Sequence, residues 1–113
     1  MHEMSLCEGI LQILEEEARR QMFSRVRTVR LEVGELAGVE LDAMYFGFDV
    51  VCRDTLADGA RLEIVQRPGQ AFCLGCGERV AVRRRFDACP DCGSYQLQVI
   101  GGDELRIKDL EVD

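Results

Sequence analysis

Cys73-Leu74-Gly75-Cys76 and Cys89-Pro90-Asp91-Cys92 decide the fold, with twelve residues between the two runs. Each pair can close two thiolates on one metal ion. Together they make a tetrahedral cage of four sulfurs, the ligand set of a structural zinc site. Gly75 and Gly77 surround Cys76, and Gly93 follows Cys92. Glycines suit the tight turns that aim backbone amides at sulfur. The segment from about Gln70 to Ile100 is too small to fold by burial alone. Metal binding supplies on the order of 10 kcal/mol, enough to decide its folding. Four thiolates leave no open position for water or substrate, so the expected Zn(II) is structural rather than catalytic. The competing thiol–disulfide reading lacks the strand-then-helix context of a thioredoxin-like C-x-x-C.

Working outward, Ser5-Leu6-Cys7-Glu8 has the form of a capping box and predicts a helix to about Phe23. Its apolar stripe is Leu6, Ile10, Ile13, Leu14 and Met22. Arg25 to Val33 alternates as a half-buried strand, with Val29, Leu31 and Val33 inward and Arg30 and Glu32 outward. A second helix is expected from about Leu41 to Arg53. Leu41, Met44, Tyr45, Phe48 and Cys52 share one face of it, with Gly47 a blemish inside. Arg61 to Gln66 is a short strand, and Pro68-Gly69 punctuates the chain. Arg79 to Phe86 and Gln96 to Ile100 supply ribbon strands, and Gly101-Gly102 reads as a hinge. Leu105 to Val112 is a last strand, with a change of face near Asp109. The first half has too few strands for a good sheet unless this last one returns to it. The expected fold class is therefore α+β: a small three-stranded sheet packed with two helices, plus an inserted four-cysteine zinc ribbon. The expected domains are 1–68 completed by 103–113, and the ribbon, 69–102.

The chain has 113 residues, 47% apolar and 31% charged, with a formal net charge of -7. An acidic balance argues against nonspecific nucleic-acid binding. No apolar run approaches the ~20 residues of a membrane span. Met1-His2-Glu3 does not open a secretory signal, and with paired cysteines this favours metal thiolates in the reducing cytoplasm. Cys7 and Cys52 fall on helices and read as small core hydrophobes. Arg83-Arg84-Arg85 reads either as a solvated hairpin face or as a contact for an acidic partner or phosphate. No nucleophile–base pair is visible, so the chain is not expected to be an enzyme.

The single histidine is residue 2. The Met1 amine, the His2 backbone nitrogen and the His2 imidazole can reach one ion in adjoining chelate rings. The Glu3 backbone nitrogen can complete the plane. Such nitrogen-rich square sites suit Ni(II) or Cu(II).

On these residues the sequence resembles the hydrogenase nickel-incorporation accessory proteins HypA and HybF. The resemblance runs from Met1-His2-Glu3 and Ser5-Leu6-Cys7 through Val33-Gly34-Glu35, Val39-Glu40 and Phe48-Asp49-Val50-Val51-Cys52 to the two cysteine pairs. It implies a nickel metallochaperone for [NiFe] hydrogenase maturation. Such a protein would hold transient Ni(II) at the amino terminus and His2, with Glu3 and, more weakly, Glu40 beside it. Cys73, Cys76, Cys89 and Cys92 would hold zinc. The implied partners are a HypB-type GTPase and the hydrogenase large subunit; some relatives also serve urease maturation. For Glu40 the resemblance stands beside a plainer reading, a helix N-terminal acid.

Overall fold

The structure is a computed structural model that describes residues 2–113; Met1, expected to supply a nickel-binding amine, lies outside the described residues. In chain order the elements are α1 (His2–Gln21), β1 (Val26–Gly34), a 3-10 turn (Glu35–Ala37), α2 (Leu41–Val51), β2 (Arg61–Arg67), β3 (Gly69–Cys73), β4 (Arg79–Val82), β5 (Leu97–Gly101) and β6 (Leu105–Val112). One sheet has the order β2-β1-β6 and the other β4-β3-β5. The fold is α+β, with two helices, two small sheets and the four cysteines in the segment between β2 and β6. The chain divides into two compact units. One comprises 1–31, 39–64 and 107–113; the other comprises 32–38 and 65–106.

In the first unit α1 begins at His2, three residues before the expected cap at Ser5. Tertiary packing overrides the local signal. Met4 and Cys7 lie against Gly47 of α2, where an added Cβ would stand 3.2 Å from the Cys7 Sγ and 3.6 Å from the Met4 Sδ. Gly47 is thus not a blemish but the point of close approach of the two helices. Cys7, Ile10 and Leu14 of α1 and Met44, Phe48 and Cys52 around α2 are buried. The Cys7 thiol donates to the Met44 carbonyl at 3.5 Å. Ile13, Met22 and Tyr45, expected on the buried faces, are exposed. Met22 adopts φ 62 just past the end of α1 and stops it there.

β1 does not alternate as expected. It is the middle strand of its sheet, and nearly every residue from Thr28 to Gly34 is withdrawn from water. A central strand buried on both faces loses the period-two pattern. The two charged residues within 28–34, Arg30 and Glu32, are neutralised in place. Arg30 meets Glu63, Asp109 and Glu111 at 3.0, 2.8 and 3.3 Å.

In the second unit Glu32, expected to face solvent, is buried and clamped by Arg67 and Arg106. The Arg106 Nη2 lies 2.6 Å from one carboxylate oxygen and the Arg67 Nε donates to the other at 2.5 Å. This clamp lines a polar cleft of about 380 Å³. β3, absent from the sequence reading, is the central strand of the ribbon. Ala71 pairs with Val80 on one side and Val99 on the other. Gly-Gln-Ala-Phe-Cys carries no β-branched residue, so propensity has nothing to report there. Ala71, Cys73, Val80, Val82, Cys89 and Leu36 form the ribbon's small core. The expected hinge takes the form of a tight turn. Gly102 has φ 75, a Cβ there would meet the Pro68 carbonyl, and its own carbonyl accepts the Leu36 amide at 2.8 Å.

Candidate metal centres

The two cysteine turns are built alike. The Gly77 amide donates to the Cys73 carbonyl and the Gly93 amide to the Cys89 carbonyl, both at 2.8 Å. Each turn then exits through a left-handed glycine, Gly77 at φ 74 and Gly93 at φ 77. β3 delivers Cys73 into the ribbon core, and the Cys89 amide is tied to the Ser94 carbonyl at 2.7 Å. The four ligand atoms lie within 4.8 Å of one another. Cys73 and Cys92 sulfurs are 3.6 Å apart, Cys76 and Cys89 sulfurs 3.9 Å. Four sulfurs about 2.3 Å from a central zinc stand about 3.8 Å apart, so the spacing fits that ion. It does not fit disulfides, whose sulfurs sit at about 2.05 Å.

The thiols share protons accordingly. The Cys76 amide leads in drawing the Cys73 thiol down to about 7. Cys76 is pushed up to about 12: the Glu78 amide pulls it down, but desolvation and the neighbouring sulfurs outweigh it. A cation among the four replaces these protons and removes the competition. Cys7 and Cys52 take no part. Burial, first of all, raises both thiols, Cys52 to about 11, as for core residues.

The amino-terminal residues meet in the first unit. His2 is the first residue of α1, its side chain 61% exposed, and its Nδ1 stands 3.6 Å from a Glu3 carboxylate oxygen. That same oxygen accepts the Glu40 amide at 3.1 Å. Glu40 is the N-cap residue of α2 but makes no side-chain cap bond. The capping is done from across the chain by Glu3. This contact, first of all, holds the Glu3 carboxyl below its usual range. His2, Glu3 and Glu40 are therefore brought together, with the Glu40 carboxylate left exposed. Sequence reasoning missed the Glu3–Glu40 bond, which joins residues 37 apart. It also missed the Glu32 clamp, whose one signal is a lone acid in an apolar run.

Fold and site together define a class: a small α+β metal-binding protein whose ribbon carries a closed four-cysteine cluster. The chain belongs to the HypA family, described as hydrogenase/urease nickel incorporation, metallochaperone, whose model matches residues 1–112. It is 64% identical over 113 residues to the hydrogenase maturation factor HypA of Acidithiobacillus ferrooxidans (strain ATCC 53993 / BNL-5-31), covering all of both chains. It is 60% identical to that of Azotobacter vinelandii, again over the whole of both. Its fold is similar to the solution structure of the Ni metallochaperone HypA from Helicobacter pylori, at TM-score 0.70 and 21% identity, covering 97% of this chain and 96% of that one.

Proposed function

We propose that this chain is a nickel carrier, not an enzyme. It takes Ni(II) at Met1, His2 and Glu3 and passes it, with a HypB-type GTPase, to the large subunit during [NiFe] hydrogenase maturation. The residues 1–68 with 103–113 then form the nickel-binding domain, and the ribbon, 69–102, holds structural Zn(II). The observation that carries this reading is the meeting of His2, Glu3 and Glu40, in a different unit from the four cysteines.

The chemistry favours loading and release over storage. Backbone amides in the first turn of a helix have no intrahelical acceptor, so His2 and Glu3 nitrogens can ligate without breaking the helix. The starts of α1 and α2 both lie here, and helix starts carry partial positive charge. That field opposes a dication. The carboxylates of Glu3 and Glu40 offset it, and Glu40, free of a capping duty, can add a ligand. The resulting site is poised between holding and letting go. Ni(II) must displace protons from its nitrogen donors, so affinity falls as the solution is acidified. Donor chemistry alone prefers copper over nickel, so selectivity falls to partner docking and metal supply.

Metal analysis of the untagged protein with native Met1 tests this. The expected result is a tightly held zinc and a weaker nickel. His2→Ala, or a residue added before Met1, removes nickel and leaves zinc. Equal nickel uptake by wild type and His2→Ala sinks the reading. The family description also names urease, so transfer to urease maturation proteins is the second client to assay.

A further inference from the structure

The ribbon carries a slot that the metal chemistry does not use. Its floor includes Val82, Leu97 and Val99, from the apolar face of the small sheet, and its volume is about 190 Å³. Small-molecule and cofactor pockets run to roughly 300–1,000 Å³. This one admits a single side chain. Two aromatic residues stand at its rim and neither fills it: Phe86 is 93% exposed and Tyr95 76%. Phe86 also holds φ 72, a left-handed conformation that costs a bulky residue about 1–2 kcal/mol. The turn that imposes it is pinned at both ends. The Arg84 amide donates to the Asp87 carboxylate at 3.1 Å, and the Asp87 amide donates back to the Arg84 carbonyl at 3.3 Å. An aromatic ring kept in water at a conformational cost is the kind of outlier that marks a contact surface.

The charge around the slot says what kind of contact. Arg84 and Arg85 line it and Arg83 precedes them. Arginines elsewhere, such as Arg30, Arg67 and Arg106, sit against carboxylates. Among the described residues no carboxylate pairs with the guanidinium of Arg83, Arg84 or Arg85. Asp87 also lines the slot, but its carboxylate is taken by the Arg84 amide. This basic rim stands on a chain of net charge -7, which repels polyanions at long range and admits an acidic segment only where the field is locally reversed.

We propose that the slot is a docking site for an acidic segment of a partner protein. The segment inserts one apolar side chain beside Phe86 and Tyr95 while its carboxylates meet Arg84 and Arg85. The site rests on ribbon residues alone, so the nickel reading can fail without it.

The test uses the full, metal-loaded protein, with peptide binding followed by amide chemical shifts. The probe is a short polyglutamate peptide with one central leucine. It is expected to shift amides of β3, β5 and the Arg84–Asp87 turn, and to bind more weakly as salt rises. Replacing its leucine by alanine should weaken it about tenfold or more. The double variant Arg84→Glu, Arg85→Glu should lose binding. Phe86→Gly relieves the left-handed strain, so it should keep the metal, unfold no sooner than wild type, and still bind the peptide more weakly. Absence of localised shifts on wild type overturns the proposal. So does equal binding of a polylysine–leucine peptide, or tighter binding of oligothymidylate at the same residues. Unchanged affinity in Phe86→Gly overturns it even if the arginine variant fails to fold.

Discussion

Glu32 is a buried carboxylate held between Arg67 and Arg106, its side chain only 6% exposed. Their hydrogen bonds, Arg67 first, hold it below its ordinary 4.5, so in acid the unfolded chain takes up this proton before the folded one does. The clamp's contribution is complete above 4.5 and is lost as pH falls through the depressed folded value. Denaturant titrations of Glu32→Gln against wild type should show a stability gap at neutral pH that closes in strong acid. A gap that stayed constant down to strong acid would assign the loss to packing instead. Glu3 obeys the same sign at the start of α2, where the Glu40 amide depends on its carboxylate. Glu3→Gln should therefore loosen the α2 amino terminus, seen as faster amide exchange at Glu40, with the four-cysteine cluster unaffected.

The meeting of α1 and α2 turns on Gly47. Alanine there gains about 1 kcal/mol of helix propensity but presses on the Cys7 sulfur, and overpacking a core costs about 1–3 kcal/mol. The expected sum is a loss. Gly47→Ala in a Cys7→Ala background, where the obstructing sulfur is gone, should recover it. A double-mutant cycle in denaturant reads that coupling directly, and additivity would remove the proposed contact. Among the turns, Gly102 has the least freedom to change. Gly102→Ala combines an unfavourable φ with a clash on the Pro68 carbonyl, and should reduce soluble yield or thermal stability more than Gly101→Ala, whose added Cβ meets only the Gln70 side chain at 3.9 Å.

For the whole molecule the decisive perturbation is removal of the metal. The ribbon core is six small or medium residues, too little to order its three strands without help. A strong chelator should abolish amide protection across β3, β4 and β5, while amides at Cys7, Leu14 and Met44 stay protected. Simultaneous loss in both units would show that the first is not stable by itself. The cysteine cluster, the two helices and the last strand were all legible in the residues, because each is set by spacing along a few adjacent positions. His2 and Glu3 adjoin in sequence, which is why the proposal of a terminal nickel site needs only local spacing. What distant residues do to one another was not legible. Ser5-Leu6-Cys7-Glu8 looked like a helix start until Met4 and Cys7 found Gly47. The Glu32 side chain looked solvent-facing until β1 became a middle strand, and β3 was silent until its neighbours paired with it. The linear chain alone determined the four-cysteine set and its kind of chemistry. Only the tertiary structure decided which charges are buried, where α1 begins and that Glu3 caps α2, because those depend on burial and pairing between segments that no local pattern encodes.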